Sequence, residues 1–264
     1  MKEFFGIGGY ARAPEGYMSF GHLFFVTALM AVTAASAVIL GRRYRSRPRR
    51  DKKRVLAVAA FLIDGLELFK IVFLCFREHN PMQWLYLLPL FLCSIQLITI
   101  PMAAFGKGRF EEAALDFVLI FGLLGALLGT YGAGQNYAAY PVLSFDNVVS
   151  GLTHAISGFC AIYIGVSGLC SLKKKNVPVT FAILSGFCLS AYIADVLIPY
   201  NYMFLIRGDG TPYDVVYGLT GGSPVFYPLT VYGLFLVYIA VFYLITNIIK
   251  RRKTTQKGAP RHGA

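Results

Sequence analysis

Charge is scarce in this sequence. Asp, Glu, Lys and Arg make up 14% of its 264 residues, where a soluble domain of this length carries about a quarter, and that scarcity excludes a soluble globular chain. Cysteine pairing is missing too. Cys75, Cys93, Cys160, Cys170 and Cys188 fall inside apolar runs or at their ends. None sits in a CxxC pair or at a zinc-site spacing from histidine, which excludes a disulfide framework and a structural metal. No glycine loop is set to cradle phosphate, because Gly8-Gly9 and Gly221-Gly222 lack the strand–turn–helix setting. With no haem ligand pair and no nucleotide motif, no cofactor is expected. No internal repeat is evident, which weighs against an inverted-repeat transporter. The formal charge of +12 does not point to nucleic acid, since no basic stretch is interleaved with base-stacking aromatics.

What the chain has is long apolar runs; 56% of its residues are hydrophobic. Seven runs read as spans: Ser19–Leu40, Val55–Phe76, Trp84–Phe105, Ala113–Tyr131, Phe145–Cys170, Val177–Pro199 and Val225–Ile249. Each is long enough, as a helix, to cross a hydrocarbon layer of about 30 Å, and helices are expected because unpaired backbone groups are intolerable in lipid. The expected fold is therefore all-α, a polytopic bundle of seven transmembrane helices forming a single domain over residues 1–264. The run Phe24–Ala37 resembles a signal peptide, but Arg42 and Arg43 follow it as a stop-transfer pattern, so a retained first span is expected. Orientation follows from the cations. Residues 42–54, 107–109, 173–175 and the tail over 250–264 hold 20 of the 25 Lys and Arg, whereas the opposite side holds Lys2, Arg12, Arg77 and Arg207. The positive-inside rule then puts the N-terminus outside and the C-terminus in the cytoplasm. The expected location is the cell membrane, as a multi-pass protein.

Ionisable residues inside spans are costly and face the bundle interior or a water-filled cavity. The second span carries Asp64, Glu67 and Lys70 at spacings of three, close enough for Glu67 and Lys70 to pair. Cys93 lies nine residues past Trp84 and His154 nine past Phe145, so both sit about 13 Å below the outer boundary if their spans are helical. Glu67, nine before Phe76, reaches a similar depth. A thiol, an imidazole and a carboxylate in one layer suggest a nucleophile activated by histidine, with the carboxylate orienting the ring. Such a site attacks an ester carbonyl and holds the acyl group as a thioester. Gln96, three residues past Cys93, is placed to bond into the same cavity. His22 reads as an interfacial or helix-linking residue. Asp195, Asn201 and Tyr202 cluster at the outer end of the sixth span, as a cap and aromatic belt or as lipid-headgroup contacts. A second reading from a different class is a transporter or small-molecule binding protein that uses the Asp64, Glu67 and Lys70 face.

Several short motifs point further. Ser19-Phe20-Gly21-His22-Leu23, Leu88-Pro89-Leu90-Phe91-Leu92-Cys93, Thr153-His154-Ala155 and Asn201-Tyr202-Met203-Phe204-Leu205 resemble, in order and spacing, the bacterial YwaF-like integral membrane proteins. That family looks related to a eukaryotic transmembrane acyltransferase that places acyl chains on ether-linked lysophospholipids. The resemblance implies a bacterial plasma membrane, phospholipid or lysophospholipid partners, Cys93 as nucleophile and His154 as base. The chain departs from the bacterial pattern at Phe91, where that pattern often carries histidine.

Overall fold

Ser19 ends the loop that leads into the bundle, and its side chain accepts a hydrogen bond from the backbone of His22 at 3.2 Å, a cap that contributes about 1 kcal/mol. The computed structural model describes residues 1–170 and 172–258, with side chains through residue 248. Its helices in chain order are α1 (Lys2–Phe5), α2 (Phe20–Tyr44), α3 (Arg49–Arg77), α4 (Gln96–Phe105), α5 (Gly108–Tyr131), α6 (Gly134–Ala139), α7 (Phe145–Ser167), α8 (Val177–Leu197), α9 (Tyr213–Leu219) and α10 (Phe226–Gly258). The described residues contain no strand. Five helices, α2, α5, α7, α8 and α10, are long and apolar enough to cross a membrane. The chain is thus an all-α membrane protein. The basic tail expected over 250–264 has its side chains outside the described residues.

One expected span is not a continuous helix. Between Trp84 and Phe105 only a 3-10 turn, Gln83–Leu87, and α4 are helical. The break falls at Pro89, which lacks an amide donor and drives the residue before it away from helical angles. Leu88 accordingly sits at φ −59° and ψ 146°. The intervening turn closes on itself: the Phe91 amide donates to Ser94 Oγ at 3.0 Å, and the Ser94 hydroxyl donates to the Phe91 carbonyl at 3.1 Å. Cys93 therefore lies in a turn, not on a helix, and a depth counted at helical rise does not apply to it.

α5 is the central post. Phe117, Ile120 and Phe121 pack into one core with α8 and α10, while Ala114, Leu115 and Val118 pack into a second with α3, α4 and α7. Its contact with α7 is close because the facing residues are small. A Cβ on Gly122 would stand 3.0 Å from the Ser157 carbonyl oxygen, and one on Gly158 would stand 2.8 Å from the Ala126 methyl. Without a hydrophobic drive between helices in lipid, such approaches are what hold them together.

The two ends of the bundle differ chemically. At one end Arg49 and Lys53 both bind Glu111, at 2.7 and 2.9 Å, Lys52 donates to the Ser167 carbonyl, and Lys173 pairs with Glu112 at 2.8 Å. At the other, Arg77 at the end of α3 makes a two-pronged bond to Asp146 at the start of α7, 2.6 and 2.9 Å. Tyr10 of the N-terminal segment donates to the same carboxylate at 2.5 Å. Burial and that bond push the Tyr10 phenol up to about 12.

Candidate functional site

His154 projects from α7, whose first turn is capped by Ser144 Oγ accepting from the Asn147 backbone at 3.3 Å. Its Nδ1 lies 2.7 Å from the Ser150 carbonyl one turn earlier. A carbonyl only accepts, so Nδ1 carries the hydrogen and Nε2 holds a free lone pair. The ring is thereby held in one orientation, and in its neutral form Nε2 is the basic nitrogen.

Cys93 arrives from the turn that Pro89 creates. Cys93 lines the same cavity as His154, near enough for the two side chains to act on each other, and with Nδ1 committed to Ser150, Nε2 is the nitrogen left to face the thiol. α5 makes room for both groups. A Cβ on Gly125 would come within 3.3 Å of Cys93 Cβ, and a Cβ on Gly129, one turn on, would overlap the His154 ring at Cδ2 and Nε2. The two glycines form a shallow seat along α5 in which thiol and imidazole can lie side by side.

Both groups open onto a cavity of about 240 Å³. Glu67 and Lys70 of α3 line it too, as do Tyr86, Asn136 and Tyr200. Glu67 does not orient the imidazole. It is bound to Lys70 at 2.6 Å, and the Ser150 carbonyl holds the position at Nδ1 that was expected for a carboxylate. The physical reason is local: two opposite charges one turn apart on one helix neutralise each other before either reaches a partner on another helix.

Other expected site residues lie elsewhere. Asp64 does not line the cavity, since residues three apart drift by about 60° per step around a helix, which turns Asp64 and Lys70 to different faces. Gln96 is fully buried, accepts from Thr99 Oγ1 at 3.2 Å and is outside the cavity lining. The helical spacing that linked it to Cys93 fails because α4 begins only at Gln96. His22 ties α2 to α5, accepting from the Met18 amide at 3.2 Å and reaching the Thr130 carbonyl at 3.1 Å, stacked beside Tyr137. Asp195, Asn201 and Tyr202 build the turn that follows α8. Asp195 accepts from the Tyr202 amide at 2.6 Å, and Asn201 donates to the Arg207 carbonyl and to Asp209, both at 2.8 Å. The Tyr202 hydroxyl donates to the Leu85 carbonyl, and so fastens the stretch that carries Tyr86 over the cavity.

Ser150, Gly125, Gly129, Tyr86, Asn136 and Tyr200 were not singled out by sequence. The available signal was Gly125-Ala126-Leu127-Leu128-Gly129, a small-xxx-small pair of the kind that lets another group approach a membrane helix closely.

A family model, described as the TMEM164 family, matches residues 17–251. No curated protein and no solved structure matches the chain.

Proposed function

This chain belongs to the TMEM164 family, and we propose that it is an intramembrane acyltransferase that moves an acyl chain between phospholipid and lysophospholipid through a thioester on Cys93. The observation that carries this reading is that Cys93 shares a cavity with a His154 ring whose Nδ1 is committed to the Ser150 carbonyl. In the first half-reaction the thiol proton passes to Nε2 and Sγ attacks the ester carbonyl of a phospholipid. The bond to the glycerol oxygen breaks, and that oxygen takes the proton from Nε2 as the lysophospholipid leaves. In the second, the hydroxyl of an acceptor lysophospholipid gives its proton to Nε2 and attacks the thioester. The C–S bond breaks, and the proton returns to sulfur. While the ring is cationic, the Ser150 carbonyl at 2.7 Å stabilises it in place of a carboxylate.

The proposal extends to topology. α3 and the broken stretch 83–105 complete seven crossings with the five apolar helices, N-terminus outside and C-terminus in the cytoplasm, in the plasma membrane of a bacterium. Support comes from the 20 cations that the sequence assigns to one side. Irregular backbone at membrane depth is tolerable where it lines a cavity, as residues 88–95 do in part. The relation to ether-lipid acyltransferases and YwaF-like proteins belongs to the same proposal.

The test is acyl exchange by the full chain reconstituted in vesicles with a labelled phospholipid and an unlabelled lysophospholipid. Cys93→Ser is expected to abolish exchange, and His154→Gln to slow it by about 10²- to 10⁴-fold, both with unchanged folding. Exchange that survives Cys93→Ser contradicts the reading.

A further inference from the structure

Glu67 and Lys70 stand on the same cavity as Cys93 and His154 yet take no part in the dyad, since the imidazole is oriented by Ser150. Two charges buried in lipid for packing alone are expensive, and apolar residues of the same size would serve as well. These two are also not sealed away: both face the cavity, with side chains 11% and 17% exposed. An ammonium has three N–H donors, and Lys70 spends one on Glu67. Among the described residues it makes no other bond. Asn136, Tyr86 and Tyr200 also line the cavity, and their side chains have no hydrogen-bond partner among the described residues. Lys70 is near enough to His154 for its charge to act on the ring.

We infer that Lys70, held in place and kept soluble in the membrane by Glu67, is the residue that binds the phosphate of the lipid whose ester faces Cys93. This rests on the acyl-transfer reading for the ester but not for the binding. A three-carbon glycerol unit joins phosphate to ester in a phospholipid, and Lys70 offers a cation on the cavity that the dyad also lines. Charge-assisted bonds to phosphate oxygens are the strong ones. Lys70 is thus a specificity-determining residue: it makes the site read a phosphodiester and pass over neutral glycerides. Glu67 completes the arrangement, for a lone ammonium at this depth would lose its charge or disrupt the helix packing.

The experiment measures protection of Cys93 from a small neutral maleimide, in the full chain in detergent, and so needs no turnover. Protecting agents are a lysophospholipid, a monoacylglycerol with the same chain, and inorganic phosphate. Wild type is expected to be protected by the lysophospholipid at a concentration about 10- to 100-fold lower than by the monoacylglycerol, with inorganic phosphate ineffective. The double variant Glu67→Gln with Lys70→Met removes both charges and leaves none unpaired; it is expected to lose the preference, with protection read against the variant's own unprotected alkylation rate. Lys70→Arg retains the cation beside Glu67 and is expected to retain the preference. An undiminished preference in the double variant overturns the assignment, and so does protection by inorganic phosphate equal to that by the lipid. Failure of the thioester scheme would show instead as lost acyl exchange with lipid protection intact.

Discussion

A histidine with one nitrogen tied to a carbonyl has a single direction in which to act as a base. His154 is held that way by Ser150, and the glycine at 129 is what allows the ring to lie where it does. Gly129→Ala is therefore expected to turn the ring out of its seat and to slow maleimide alkylation of Cys93 at neutral pH at least ~10-fold, toward the rate of His154→Gln. Gly186→Ala is the control, because a Cβ there meets nothing within 4 Å. That change should leave alkylation alone and stabilise α8 by about 0.5–1 kcal/mol. At this scale Cys93 and His154 were legible, as polar residues counted inward from the outer ends of their runs and as positions in motifs. The carbonyl of Ser150 was not, because a backbone acceptor leaves no signature in residue type. The pairing of Glu67 with Lys70 was legible from their spacing of three, but the spacing did not say that it would take Glu67 away from the imidazole.

The element that brings the thiol to the ring is the unwound stretch from Leu88 to Ile95, and it depends on the loop that follows α8. The Tyr202 hydroxyl bonds the Leu85 carbonyl, Phe91 packs edge-on against the Tyr202 ring at 5.2 Å, and Tyr86 packs edge-on against Tyr200 at 5.4 Å. Tyr202→Phe keeps the ring and strands the carbonyl. It is expected to cost about 1–3 kcal/mol, visible as a lower thermal midpoint in detergent, and to speed alkylation of Cys93 as the cover loosens. Phe91, where the resembling pattern often has histidine, serves here as an aromatic strut in that cover. The other six apolar runs became helices, five of them within six residues of their expected ends, while α10 runs nine residues past Ile249, because a helix continues into flanking polar residues that hydropathy does not count. The third run was misread as continuous. Its Pro89 was visible, but membrane helices tolerate proline when neighbours satisfy the freed groups, so proline alone does not mark a break.

For the whole molecule, the two ends obey different electrostatics. Arg77 and Asp146 are buried, with side chains 7% and 11% exposed. Arg77→Ala leaves Asp146 uncompensated and is expected to cost about 3–5 kcal/mol, read from chemical or thermal unfolding. At the basic end Arg54 and Asp51 pair at 3.1 Å with 67% and 32% of their side chains exposed, so Arg54→Ala should change stability by less than about 1 kcal/mol. Orientation can be checked directly. In intact cells a membrane-impermeant maleimide is expected to label Ala11→Cys and to label Ser46→Cys only after permeabilisation; the reverse pattern inverts the topology. Membrane class and helix content were legible from run length and cation placement. Which helices touch was not, because rotation about each axis is set by small-residue contacts such as Gly158 against Ala126, and these emerge only when the helices are packed. The most direct measurement of the central claim is the intact mass of the purified chain, quenched in acid during turnover of a phospholipid of known acyl chain. The account predicts one added acyl group, mapped to the peptide of Cys93, released by neutral hydroxylamine, and absent from His154→Gln. Turnover with no adduct on Cys93, or an adduct that forms equally in His154→Gln, would contradict it.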